Sequence, residues 1–131
     1  MHKKDDSVGD GIVTGNANWS FGGNVHEFFD EHVSKSVPMY YEGHELISEI
    51  SDFFLSNDSI VYDLGCSTGS LLASLAERHK EKEVSFFGID VEEGMVNKAK
   101  SKCSAFDNVE VEHGSVIEME FETASLFTAY Y

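Results

Sequence analysis

At 131 residues and 41% hydrophobic content, the chain has material for one domain core and no apolar run long enough to span a bilayer. Nine Lys and Arg against 24 Asp and Glu give a formal net charge of −15. Such a charge argues against direct nucleic-acid binding, because that affinity comes from basic side chains displacing counterions, and is read as a solvated surface. Two cysteines, Cys66 and Cys103, lack the number and spacing of a disulfide framework or zinc site, and the start carries no apolar signal segment, so a reducing cytoplasm is expected.

Residues 1–18 are rich in Gly, Asn and Asp with little periodicity and are expected to form a flexible arm, leaving residues 19–131 as the domain. "NVHEFFDEHVSK" sets Val25, Phe28, Phe29 and Val33 at helical spacing behind Asn24. Pro38 then breaks the pattern and opens a second helix. In that helix Leu46, Ile47, Ile50, Phe53 and Phe54 make one apolar stripe, expected to pack on a sheet. Beyond "SNDS" the pattern alternates: strand "IVYDL", helix "SLLASLAERHKEK", strand "VSFFGID", helix "EEGMVNKAKSKC", strand "NVEVEHG" and a final strand "ASLFTAYY". Strands joined by crossover helices build a parallel sheet covered on both faces, a doubly wound α/β fold.

"IVYDLGCSTGS" places Gly65 where a strand ends and a helix begins, the position at which open α/β sheets bind ligands. Gly65 permits the sharp turn and close ligand approach, the following helix presents unpaired N–H groups, and Gly69 serves close helix packing. Asp90 closes the next strand 25 residues after Gly65, placed to accept hydrogen bonds from ribose hydroxyls. The dinucleotide pattern G-x-G-x-x-G is absent, which argues against NAD.

"DLGCSTG" resembles the glycine loop of class I S-adenosylmethionine-dependent methyltransferases, with Ser67 where the middle glycine usually stands. Within that superfamily, "SVPMY" and "VYDLGCSTG" look like the carboxy-S-adenosylmethionine synthase family, whose product serves modification of the tRNA wobble uridine, over about Trp19 to Tyr131. The resemblance implies S-adenosylmethionine, or its carboxylated form, as cofactor. It implies Tyr40 facing the methionine end, Gly65 at the loop contact and Asp90 on the ribose. Cys66, Ser67, Gly69 and Val91 join the candidate set, and Ser115 and Val116 stand where the family has a Gly-Asp pair beside adenine. Tyr130 replaces an asparagine expected in the fourth strand.

A sulfonium is already an activated donor, so transfer needs alignment of donor and acceptor more than a nucleophilic side chain, and no catalytic residue is assigned. Asp63 beside the loop is either a counter-charge to a cationic ligand or an ordinary strand-end acid. Tyr40 offers its ring to a sulfonium or its hydroxyl to a carboxylate, or else is core. Cys66 is read as a small residue under the ligand rather than a reactive thiol, and His26 and His32, six apart, do not share a helical face for a metal. Related enzymes continue past the point at which "SLFTAYY" stops, so the expectation is a domain truncated after its fourth strand. Three readings stay open: a methyltransferase-type enzyme on a small molecule, a carboxy-S-adenosylmethionine synthase-like enzyme, and a non-catalytic binding fragment or subunit. A homodimer or a complementing chain is the expected partner.

Overall fold

The computed structural model describes the backbone of Thr14–Gly15 and Asn18–Trp19 and residues 25–130, with side chains from Phe28 onward. The arm expected over residues 1–18 lies outside the described residues, apart from a short antiparallel pairing of β1 (Thr14–Gly15) with β2 (Asn18–Trp19). Then follow α1 (Val25–Ser36), α2 (Tyr40–Ser51), β3 (Ile60–Leu64), α3 (Ser70–Arg78), β4 (Ser85–Asp90), α4 (Glu93–Lys102), β5 (Val109–His113) and β6 (Leu126–Thr128). The four longer-range strands form one parallel sheet in the order β5-β4-β3-β6. After β5 the chain crosses back to the far side of β3. The strand order therefore reverses between β3 and β6, which opens a crevice at their carboxyl ends.

Side chains alternate along each strand, and the register decides which residues share a face. Val61 pairs with Phe86, and Phe86 with Val109; Asp63 pairs with Gly88 and Thr128. This face meets Leu71, Leu72 and Leu75 of α3 and Val96 and Ala99 of α4 in the main core. Val61, Leu72, Leu75 and Phe86 are fully excluded from solvent, and burial of each contributes roughly 1.5–3 kcal/mol. On the opposite face Tyr62 stacks between Phe87 and Phe127, at ring separations of 5.3 and 5.2 Å. There the contact comes from the segment after β5: Phe121 meets both Tyr62 and Phe127 edge-on, and the Glu122 N–H donates to the Tyr62 hydroxyl. Among the described residues, the helices thus supply the core on one face of the sheet.

Two elements are shorter than the sequence pattern suggests. The helix expected through Lys82 ends at Arg78, because His79 leaves helical geometry and buries its ring against Ser51, 2.7 Å from Nε2 to Oγ. The final strand pairs only over Leu126–Thr128.

The orientation of α2 corrects the expectation drawn from its stripe. The helix turns Tyr40, His44, Ser48 and Ser51 inward, while Leu46, Ile50, Phe53 and Phe54 are exposed; Ile47 alone of the stripe packs on the core. Small serines let α2 lie close to α3, the Tyr40 hydroxyl faces Ser70, and the Ser51 hydroxyl bonds the Ser48 carbonyl and His79. The polar face is therefore held against its neighbour by specific bonds, and the apolar face is left outward.

Candidate functional site

The crevice at the carboxyl ends of β3, β4 and β6 has a volume of about 450 Å³ and is lined by Phe29, Leu64, Gly65, Ser67, Asp90, Val91, Glu92, Met95, Ala129 and Tyr130. That volume lies in the range of small-molecule sites. Sequence reasoning placed Gly65, Ser67, Asp90 and Val91 there, and all four line it.

Gly65 sits at φ +68°, and a Cβ built on it meets open space within 4 Å. What glycine supplies here is the left-handed turn itself, with free room above it. Ser67 is also left-handed, at φ +52°, although it has a side chain. Its N–H donates to Asp90 Oδ2 at 2.9 Å, and the Glu92 N–H donates to Oδ1 at 3.0 Å. One carboxylate thus ties the glycine loop to the start of α4. A carboxylate has about four lone-pair sites, so each oxygen keeps capacity for another donor.

Asp63 lies beneath the loop, almost wholly buried, and accepts the Thr128 hydroxyl at 2.8 Å. Burial pushes its pKa up to about 7, with the Thr128 bond opposing and the Asp90 charge adding to the rise. It is therefore neither a solvated acid nor a crevice-lining one.

Cys66 packs under the loop against Gly88, where a Cβ would come within 3.0 Å of its Sγ. Burial, followed by the Asp63 and Asp90 charges, raises its pKa above the ordinary thiol value, which makes it a packing residue and an unreactive one. Gly69, at φ +81°, would bring a Cβ to 3.0 Å from Ala99, so it serves the close approach of α3 to α4. The Gly114 N–H donates to the Asp90 carbonyl, but Ser115 and Val116, which follow it in the turn after β5, do not line the crevice.

Tyr40 does not line this crevice. It is buried at the start of α2 against Ser70, and burial, then the Asp30 charge, raises its pKa. There it adjoins a polar cluster: Lys102 Nζ lies 2.6 Å from Asp30 Oδ2 and 2.7 Å from Ser70 Oγ, and the Thr68 hydroxyl donates to Asp30 Oδ1 at 2.6 Å. Burial works against ionisation of Asp30, but the bonds from Lys102, Thr68 and Ser70 outweigh it and hold the carboxyl below its usual value. The cluster fastens α1 to the loop and to the end of α4, and α1 in turn brings Phe29 to the crevice wall beside Met95.

Phe29, Glu92, Met95 and Tyr130 are lining residues that sequence reasoning did not assign to the site. Phe29 read as core, which it also is; Tyr130 drew notice only as a departure from a family asparagine. Among the described residues, no group of three or more His, Cys, Asp and Glu is placed to hold a metal. The Ser51–His79 pair is not a nucleophile and base either. Ser51 donates to the Ser48 carbonyl, so His79 Nε2 is the donor toward Ser51, and Asp52 is engaged by Arg78.

Among the described residues no Lys or Arg lines the crevice, while Asp90 and Glu92 do and Asp63 lies below. A pyrophosphate would find the loop N–H groups but also these acids, whereas a cationic ligand with ribose hydroxyls meets favourable partners throughout.

Residues 61–130 match the methyltransferase domain family. A carboxy-S-adenosyl-L-methionine synthase of Sulfurimonas denitrificans is 36% identical over 118 residues, covering 86% of this chain and 48% of that one. A protein of the same name from Campylobacter hominis is 38% identical over 104 residues, covering 79% and 41%. The chain spans about half the length of the curated relatives it matches. Among solved structures, a candidate S-adenosyl-L-methionine-dependent methyltransferase of Methanococcus maripaludis superposes with a TM-score of 0.67 at 20% identity, over 89% of this chain and 53% of that one. A methyltransferase of Geobacter sulfurreducens solved with S-adenosyl-L-homocysteine gives 0.54 at 21% identity, over 67% and 35%. These structural likenesses establish the fold. Among the described residues, no helix is long and apolar enough to cross a membrane.

Proposed function

We propose, from the premise that this chain belongs to the methyltransferase domain family, that it binds S-adenosyl-L-methionine at the β3–β4 crevice and forms the cofactor half of an enzyme transferring a one-carbon group to a small molecule. The observation that carries this reading is the Asp90 carboxylate, bonded to the Ser67 and Glu92 N–H groups and still able to accept two ribose hydroxyls beside the open space over Gly65. Asp90 would hold the sugar, Val91 with Ser115 and Val116 the base, and the Gly65–Ser67 loop the methionine end, with Cys66 and Gly69 setting the loop's packing. Asp63 would act from beneath as a buried counter-charge, and Tyr40 through the cluster that seats α1. When bound, the sulfonium supplies the activated carbon. The residues of this chain orient the ligand. Titration calorimetry is the test: heat with S-adenosyl-L-methionine and S-adenosyl-L-homocysteine and none with NAD is expected, and no heat with either sulfur ligand at millimolar concentration would remove the reading.

In a narrower reading the ligand is the carboxylated sulfonium, which the name of the curated relatives supports, and the role would lie in tRNA wobble-uridine modification in the cytoplasm. Mass spectrometry of the ligand that copurifies with the chain separates the two: a mass higher than S-adenosylmethionine by one carboxylation favours the narrow reading, and unmodified S-adenosylmethionine the broad one.

A further inference from the structure

A polar atom sealed from water is expected to find a partner in the fold, and on one face of α2 two do not. His44 Nε2 and Ser48 Oγ are buried without a hydrogen-bond partner, in residues that are 6% and 7% exposed. The two stand four apart, one above the other on the side of α2 that meets α3. Such orphaned groups cost free energy until something outside the fold completes them.

Both residues line a groove between α2 and α3. It has a volume of about 650 Å³, in the range of small-molecule sites, and shares no lining residue with the β3–β4 crevice. Its chemistry is one-sided. The Ser74 hydroxyl donates its proton to the Ser70 carbonyl at 3.0 Å, which leaves its oxygen as an acceptor. Arg78, the cation on this lining, is taken by Asp52 through Nε at 2.8 Å and Nη2 at 2.6 Å. Glu45 and Glu77 face the same groove as exposed acids, and Glu45 forms no ion pair among the described residues. Burial holds the His44 pKa below the usual imidazole value, against the charge of Asp30. The rings of Tyr40 and Tyr130, at 4.4 and 5.5 Å, fix its orientation. A neutral imidazole offers a lone pair, and a serine hydroxyl accepts as well. The groove therefore offers acceptors in excess of donors, on a chain whose formal charge of −15 draws cations.

We propose that the α2–α3 groove binds an aliphatic polyamine. One ammonium donates its three N–H bonds to His44 Nε2, Ser48 Oγ and the Glu45 carboxylate. The methylene chain lies along Ala73 and the Tyr41 ring, and a second ammonium reaches Glu77 on the far wall. Ser48 meets the ligand by a change of rotamer, and the exposed Tyr41 side chain moves aside to admit it. Anions are repelled by the two acids, and an amine with a single charge leaves Glu77 unmatched.

Calorimetry in the absence of S-adenosylmethionine is the test, so its outcome is independent of cofactor binding. In physiological salt the chain is expected to bind 1,4-diaminobutane saturably at 1:1, and butylamine, which keeps one ammonium, roughly tenfold more weakly. Ser48→Ala, His44→Phe and Glu45→Gln should each weaken the diamine by roughly tenfold. Glu110→Gln, which removes an exposed acid from β5, should leave its affinity unchanged. Without ligand, Ser48→Ala should melt no lower than wild type, since its hydroxyl gives up no bond in the fold. No saturable heat with millimolar diamine overturns the proposal. So does an equal loss in Glu110→Gln, which reduces the effect to attraction by net charge. A lower melting temperature for Ser48→Ala overturns it too, by giving that hydroxyl a partner inside the fold.

Discussion

The Ser67 N–H reaches Asp90 Oδ2 across 2.9 Å, joining the loop after β3 to the end of β4. Because the Glu92 N–H holds the other oxygen, the carboxylate is fixed in orientation before any ligand arrives. Hydrogen bonds to a charged group contribute about 1.5–3 kcal/mol, so Asp90→Ala is expected to weaken S-adenosylmethionine binding by roughly 10- to 100-fold. Asp90→Asn, which keeps one acceptor oxygen, should fall between wild type and Asp90→Ala. Calorimetric titration of the three proteins decides the matter, and equal affinities would dissociate Asp90 from the ribose.

Ser67 occupies a left-handed conformation that disfavours side chains, at φ +52°. Left-handed geometry costs an ordinary L-residue about 1–2 kcal/mol, and glycine loses part of that gain to its more mobile unfolded state. Ser67→Gly is therefore expected to stabilise the chain by about 0.5–1 kcal/mol in urea unfolding. Its own hydroxyl contributes little against this, since its contact with the Gly65 carbonyl is long, at 3.4 Å. A destabilised Ser67→Gly variant would mean that the hydroxyl, not the backbone, sets the loop.

Asp63 gives the chain a pH dependence of defined sign. Its folded pKa, about 7, lies above the ordinary carboxyl value, so between about pH 4 and pH 7 the folded state holds a proton that the unfolded state has released. Stability from this group is full below pH 4 and is lost as pH rises through 7, at up to about 1.4 kcal/mol per pH unit. Asp63→Asn keeps an oxygen for the Thr128 hydroxyl and carries no charge to bury. The variant is expected to be about 1–3 kcal/mol more stable than wild type at pH 8, with the advantage gone at pH 4.5. Urea titrations at both pH values measure it, and parallel curves would show that Asp63 does not titrate in this window.

The glycine loop and Asp90 were legible because their chemistry is local. A strand pattern, a left-handed turn and an acid one βα unit later stand in fixed sequence relation, and the parallel register of Leu64 with Ile89 brings the two strand ends together. The stripe of α2 was equally legible, but its neighbour was not. Periodicity states that a helix has an apolar side, and says nothing of which surface meets it. Here the Ser51–His79 bond and the contact of Tyr40 with Ser70 hold the opposite face inward, and each joins residues about 30 apart in the chain. Phe29 and Tyr130 entered the crevice wall from its two distant ends for the same reason. Only the three-dimensional crossing of α1 and the reversal at β6 place them beside Gly65.

Lys102 gathers Asp30, Thr68 and Ser70 into the contact that seats α1. The ion pair is partly exposed, at 32% and 38%, so solvent screening limits its contribution, but the hydroxyls of Thr68 and Ser70 share the same carboxylate. Lys102→Met keeps the apolar stem and deletes the charge, leaving Asp30 with neutral partners only. The expected loss is about 1 kcal/mol, confined to the seating of α1. Amide exchange should therefore quicken over Val25–Ser36 while β3 and β4 stay protected, and 0.5 M salt should reproduce part of the change in wild type. Because α1 carries Phe29 to the crevice, ligand affinity should fall with that protection although Lys102 lies outside the crevice lining. Faster exchange spread evenly over the sheet would instead make Lys102 a general stabiliser, and unchanged exchange in α1 would remove the cluster from the seating of that helix.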